Sequence, residues 1–423
     1  MNHKPIIILI IIFLICIIYI SLKSDKLYEV KWNVPDTTLA ITIDGEISTT
    51  FPTTSAYTGI VECSSGTGKV EWNGSKWILS ANGITKGSTT CNITFTTKIP
   101  TFADIILTNN NVVTPLTIPG QAISTSEEAL LASAKDDYGT SYYFRGSVIN
   151  NYVQFANKCW RIVRITGDGS VKLVLHNDNT SSVSNPCSSS NNSDTAAFAK
   201  YSGTTYTSAF NKLMDDNAYI GFMYGASGSS DYVSTHANTN KSTILTNLET
   251  WYKNNLKSYE GYLADIIWCN DKSITSGLGY LTDPTNYGAY NRIRLTTQPS
   301  LICPNDNNGG KLSKFTVSDT INGNGNLTYK IGLLTADEMT FAGLVYGPGN
   351  TTYYLYENTG GKYWWTLTPY VYAAYAEGWD VASGSFQGGF VLNARGLRPS
   401  IALISSTTVT GSGTSEEPYI VNW

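Results

Sequence analysis

Six cysteines, Cys63, Cys91, Cys159, Cys187, Cys269 and Cys303, are spread along the chain beyond an apolar stretch at its start. If they are oxidised, they restrict the possible folds more than any local helix or strand pattern does, because each bridge fixes two distant points of the backbone. Their spacings are wide, with no CxxC pair and no neighbouring His, which argues against zinc. An even count in an exported chain reads as disulfides. Sequence order and domain breaks favour Cys63–Cys91, Cys159–Cys187 and Cys269–Cys303, the first most of all.

The start of the chain supports export. Residues 6–20, IIILIIIFLICIIYI, form an unbroken apolar run between Lys4 and the pair Lys23 and Lys26. A helix needs about 20 apolar residues to cross a bilayer core, and residues 5–22 fall within the usual range. No small-residue cleavage site follows, so an uncleaved signal anchor is expected over residues 1–27. Positive charge on both flanks leaves the orientation open. The cysteines decide it: a single-pass protein of the cell membrane, with the bulk of the chain extracellular and the helix as its membrane contact.

Only 14% of the residues are charged, against about 25% in an average soluble domain. Asn, Ser, Thr, Gly and Tyr carry the polarity instead, a mix for strands and turns rather than helices. The net charge is −4 with no basic stripe, which argues against a nucleic-acid partner. The expected fold is strand-rich α+β. Residues 28–118 alternate as strands, as in LAITIDGEI, KVEWNGSKWILSA and TTCNITFTT, and predict a small disulfide-stapled β-sandwich-like module. Residues 119–135 contain STSEEALLASA, with Thr125 and Glu128 as a capping box, and predict a linker with a short helix. Residues 136–423 mix strands with helices over SAFNKLMDD, over STILTNLETWYKNNL running on into YEGYLADIIW, and over TADEMTFAGLV. The run DKSITSGLGYLTDPTNYGAYNR lacks periodicity and predicts a long loop bracketed by Cys269 and Cys303.

Catalytic equipment is sparse. His176 and His236 are the histidines beyond the N-terminal tip, and each reads as an ordinary packed or exposed residue. No GxSxG elbow, GxGxxG loop or GxxxxGK[ST] loop is present, so no catalytic residue, metal or cofactor is assigned. Asp337 and Glu338 resemble acid–base equipment, but Thr335 and Glu338 fit a capping box better. One of Arg161 and Arg164 is expected to pair with an internal carboxylate, and Arg398 to hold the fold.

Four runs, DDYGTSYYFRG, NKCWRIVRITGDGSVKLVLHN, LADIIWCND and IGLLTADEMTFAG, precede YWWTLTP and ARGLRPSIAL. In that order they resemble an uncharacterised family of bacterial surface proteins. The C-terminal part, from about residue 120, is similar to a divergent C-type-lectin-like domain of the formylglycine-generating-enzyme subtype. That resemblance implies a fold whose members bind sugars or proteins, modify sulfatases, or display surfaces varied by diversity-generating retroelements. The calcium-lectin triplets EPN, QPD and WND are absent, and the paired active-site cysteines of the formylglycine generators have no match, so neither activity carries over. The expectation is an adhesin-like surface protein binding a glycan or a protein. A retroelement-diversified version of it is the first alternative. An envelope enzyme, related to the formylglycine generators or a hydrolase, is the second.

The segment YVYAAYAEGWD lacks a packing period and lies between Pro369 and the Gly378 region, which predicts a loop. Its Tyr370, Tyr372, Tyr375, Trp379 and Asp380 are the expected ligand-binding residues, because such side chains join flat apolar faces to hydrogen-bonding tips. At least one of Trp364 and Trp365 in YWWTLTP is expected to be core.

Overall fold

The structure, a computed structural model, describes residues 38–85, 89–117, 119–121 and 129–422. The expected anchor lies outside the described residues. Among the described residues no helix is long and apolar enough to cross a membrane. The chain divides into two compact units, meeting in sequence between Ile99 and Pro100.

The first unit is built of strands β1 (Thr38–Ile43), β2 (Glu46–Ser48), β3 (Tyr57–Cys63), β4 (Thr67–Trp72), β5 (Trp77–Asn82) and β6 (Thr90–Thr97). Four form a sheet in the order β2-β1-β6-β3, and β4 and β5 form a separate hairpin. In β6 the side chains alternate, with Cys91, Ile93 and Phe95 buried and their neighbours exposed. The hairpin returns Val70, Trp77 and Leu79 to the same cluster. Trp77 meets Phe95 edge-to-face at 5.0 Å. A Cβ at Gly59 would fall 2.3 Å from Val70 Cγ1, and one at Gly68 would fall 2.3 Å from Val61 Cγ1. Glycine at both positions lets the hairpin close on the sheet. Cys63 and Cys91 are direct cross-strand partners and are bonded.

The second unit begins earlier than the sequence suggests. Helix α1 (Phe102–Asn109) carries a capping box of Thr101 and Asp104, and buries Phe102, Ala103 and Ile106 in the large core. The β-module expected over residues 28–118 therefore ends at Ile99, and the described residues from Pro100 on belong to the second unit. The short helix expected over residues 119–135 is also corrected in part. Thr125 and Glu128 lie outside the described residues, but the following residues form strand β7 (Ala129–Asp136). It pairs along its whole length with β8 (Gly139–Gly146). Asp136 Oδ1 accepts from the backbone N–H groups of Tyr138 and Gly139, so turn chemistry and a partner strand override a helix-like ALLASA.

Strands β9 (Tyr152–Phe155), β10 (Lys158–Ile165) and β11 (Val171–Asn177) follow as the sequence predicts. Every residue of β10 and β11 is buried. Helix α2 (Thr243–Asn255) buries Leu245, Leu248, Trp251 and Tyr252 along one face. Its expected continuation is instead a 3-10 turn at Lys257–Tyr262, followed by extended chain. The helix expected in SAFNKLMDD is absent too. Thr207–Ser208 pairs with Arg395–Gly396, and the Asn211 amide then donates to the Tyr219 and Gly221 carbonyls, holding an irregular path. Helix α3 (Ala336–Ala342) has the expected Thr335/Glu338 capping box.

Two large sheets organise this unit. One runs β15 (Ser400–Leu403), β11, β10, β9, β16 (Tyr419–Val421), with β8 on β10 and β7 on β8. The other is centred on β12 (Trp364–Tyr372), β13 (Ala376–Ala382) and β14 (Ser385–Phe390). The expected long loop after Cys269 contributes two strands to it, Ile274–Ser276 and Thr285–Tyr287, the latter paired with β12. The fold is thus strand-rich α+β with several sheets. Cys159–Cys187 and Cys269–Cys303 are bonded, so all three bridges follow the sequential pairing.

The Cys63–Cys91 bridge spans 28 residues in a module with a small core. Replacing both cysteines by Ser should cost it about 3–4 kcal/mol, the loop-closure effect for that length. Hydrogen exchange on the full chain should show faster exchange in residues 38–97 with little change in the second unit.

Candidate functional site

The expected aromatic site is mostly core. Residues Tyr370 and Tyr372 belong to β12, and Trp379 and Asp380 to β13, two paired strands rather than a loop. Tyr372, Trp379 and Asp380 are 2%, 0% and 0% exposed. Tyr370 is buried at 7%, its ring 4.3 Å from that of Trp379 and its hydroxyl accepting from Arg294. Phe386 packs on the other side of Trp379 at 5.3 Å. Asp380 accepts from Arg395 Nε at 2.7 Å. Burial raises its carboxyl to about 6, although Arg395 pulls the other way. The period was hidden by irregular pairing: the β12–β13 register shifts on both sides of Pro369. Trp364 and Trp365 are both core, where at least one had been expected.

Of the five, Tyr375 alone reaches solvent, at the turn between the strands, where its ring meets Phe390 at 5.7 Å. Phe390, Leu392 and Leu213 are also exposed. Backbone hydrogen bonds from Ala376 to Met214 and from Val391 to Ala376 bring these segments together. The result is a small apolar patch that the sequence reading found only through Tyr375.

A second cluster is charged and closed. Arg164 on β10 binds Asp136 through Nη1 at 2.5 Å and Glu338 through Nε at 2.9 Å. Lys172 on β11 meets both oxygens of Glu338, at 2.7 and 2.9 Å. Alongside, Arg292 grips Asp337 with two hydrogen bonds and contacts Asp271 at 2.8 Å, the latter an ionic contact without hydrogen-bond alignment. Burial pushes the Asp271 carboxyl up despite Arg292. For Glu338, burial alone would raise the carboxyl, but Lys172 and then Arg164 outweigh it and hold it at about 2. Lys172 is itself lowered to about 8, since burial and repulsion from Arg164 exceed the pull of Glu338. The carboxylate faces two cations, whereas Lys172 contacts one carboxylate. The cavity between these groups is about 20 Å³, room for one water. Asp337 and Glu338 are therefore locked in ion pairs, and one of them caps α3.

Both histidines are enclosed. His176 lies beneath the Tyr152 ring and beside the Asn358 amide, and burial holds it well below its ordinary value. His236 Nε2 faces the Gly279 carbonyl at 2.9 Å, and burial lowers it likewise. Among the described residues no group of three or more His, Cys, Asp or Glu is arranged to hold a metal ion.

One open concavity in the second unit was not singled out in the sequence. It follows β11, has a volume of about 290 Å³, and is lined largely by amides and hydroxyls. Its floor is pinned. The Asn177 amide donates to the Pro186 and Asn191 carbonyls, and the Asn179 amide to those of Asn157 and Val183. Asp178 is neutralised by Lys158 at 2.8 Å and also accepts from Trp251 Nε1. The Cys159–Cys187 bridge ties the loop to β10. The rim, Thr180, Ser181, Ser190, Asn192 and Ser193, is exposed. A cluster of Asn and Ser on both sides of Cys187 was the available signal, but it also describes an ordinary loop.

No family model, no curated protein and no solved structure matches the chain.

Trp379→Ala should cost about 3–5 kcal/mol by opening a cavity, whereas Tyr375→Ala should stay within about 0.5 kcal/mol. Denaturant titration of the two variants checks the assignment of one to core and the other to surface. Glu338→Gln should cost about 3–5 kcal/mol, because Lys172 is left buried without a counter-charge. Glu338 is depressed in the fold, so its stabilisation is complete above its ordinary value of 4.5 and drains away as pH falls toward about 2. Unfolding free energies measured from neutral pH down through that window should converge for wild type and variant.

Proposed function

We propose that this is an exported surface protein, tethered to the cell membrane by its N-terminal segment, whose C-terminal C-type-lectin-like domain binds a neutral glycan. Three disulfides mark an oxidising environment outside the cytosol. The observation that carries the reading is the groove after β11: open, lined by hydrogen-bonding groups, and with its acidic residue already paired. Such a lining suits a ligand rich in hydroxyls and offers little to an apolar one, and the one further charged group in it, Lys200, is tied to the Thr195 and Phe198 carbonyls. The pinned floor lets the rim meet a ligand with little further ordering, which favours affinity.

The Tyr375 patch supports a second reading, in which the ligand is a protein. Exposed aromatic and aliphatic side chains that cluster together are a common anchor at such interfaces. Diversification within residues 364–396 would alter the ligand surface only at outward positions such as Tyr375, Gln387, Phe390 and Leu392, since the rest packs inward.

A glycan array and a cell-binding assay with the purified chain separate these readings. Loss of glycan binding in a Thr180→Ala/Ser181→Ala/Asn192→Ala variant, with the fold intact, is the expected result. Loss confined to a Tyr375→Ala/Phe390→Ala variant would move the site to the patch. Binding unchanged in both variants would reject both surfaces.

A further inference from the structure

The second unit contains a buried lysine whose environment differs from that of its two buried counterparts. Lys158 meets Asp178 at 2.8 Å and Lys172 meets Glu338 at 2.7 Å. Lys272 is 0% exposed and forms no ion pair among the described residues. Its Nζ is directed at the side-chain carbonyl of Asn238, 2.6 Å away, with the Met223 carbonyl at 2.9 Å and the His236 carbonyl at 3.5 Å. Asn238 is itself 4% exposed.

No titratable group facing this amine forms a contact ion pair with it among the described residues, and Asp306 acts on it only through space, too weakly to offset burial. Asp306, whose field reaches Lys272, is already occupied by the backbone N–H groups of Asn308, Gly310 and Leu312. His236 is enclosed and held neutral by burial and by Lys272. Burial lowers the lysine to about 7, so a large share of it is the free amine at neutral pH. A buried ammonium without a carboxylate is costly, and the uncharged amine is a nucleophile.

We infer that Lys272 and Asn238 join in the folded chain through an intramolecular amide bond. Nζ attacks Cγ of Asn238, the Cγ–Nδ2 bond breaks, one Nζ proton passes to Nδ2, and ammonia leaves. Neither an oxidant nor a co-reactant is consumed. With a C=O bond of about 1.23 Å, the 2.6 Å contact puts Nζ within about 3.8 Å of Cγ, close to near-attack separation. Both partners are held. The Asn238 amide donates to the Leu312 carbonyl, and the residue sits in the left-handed region at φ 58°. Lys272 N–H donates to Ser313 Oγ. Asn238 is therefore fixed from the same 306–313 loop that occupies Asp306. The product replaces a buried charge by a neutral amide and crosslinks the region beside the Cys269–Cys303 bridge.

Peptide mapping of the folded full chain, after thiol reduction and alkylation, tests this directly. Trypsin cleaves after Lys and Arg, so an unlinked chain yields free peptides 213–241 and 258–272. The expected result is a branched peptide, 213–241 joined to 258–292, lighter than the sum of its parts by one ammonia, with cleavage after Lys272 blocked. An Asn238→Ala chain should return the linear peptides and cleavage after Lys272. Recovery of the two linear peptides from folded wild type would overturn the inference. So would an ammonia loss that maps elsewhere or survives Asn238→Ala.

Discussion

The carboxylate of Glu338 joins three parts of the second unit. One oxygen receives Arg164 from β10, both receive Lys172 from β11, and Oε2 also accepts the Thr335 N–H at the start of α3. Central strands and helix are thereby fixed in register by a single buried acid. Arg164 extends the connection to Asp136, which sets the β7–β8 turn and accepts from Gly167 N–H. Two cations and two carboxylates balance, and that balance is what makes charge tolerable where every residue of β10 and β11 is buried.

The same economy of charge explains the neighbouring arginines. Arg161 reaches Asn151, the Val148 carbonyl and Glu357, and its guanidinium lies 3.8 Å from the centre of the Tyr152 ring. Arg398 donates to the Leu175 and Leu355 carbonyls and stacks over Trp364. Planar guanidinium groups can satisfy several fixed acceptors at once, so they serve as crosslinks between irregular segments. A chain with few charged residues has placed many of them inside.

That placement also sets what the sequence could reveal. Strands of the small module were legible because one face is wet, so that Cys91, Ile93 and Phe95 alternate with exposed neighbours. The capping box at Thr335 was legible because its partners are local. The three bridges followed chain order because each closes within one region. By contrast, β12 is buried throughout and its pairing slips around Pro369, so no alternation survived and a strand looked like a loop. ALLASA resembled a helix because its fate depends on β8, a non-local partner. Lys158 and Asp178 are 20 residues apart, and their neutral pair beneath the groove could be seen only once the strands were in place.

Because the large rings are spent on the core, the ligand binding proposed for this unit would fall to its loops. Loops lose affinity when they must be ordered on binding. The loop after β11 avoids that loss by several independent means: a disulfide to β10, two asparagine amides bound to four backbone carbonyls, and a buried aspartate held by a lysine and a tryptophan. These ties are directed inward, which leaves the rim side chains free to face outward. A rim fixed this way and carrying no net charge gains little from long-range steering and loses little to salt. On the proposed glycan-binding reading, selectivity there would depend on matching hydrogen-bond directions, the property a polyhydroxyl ligand offers most densely.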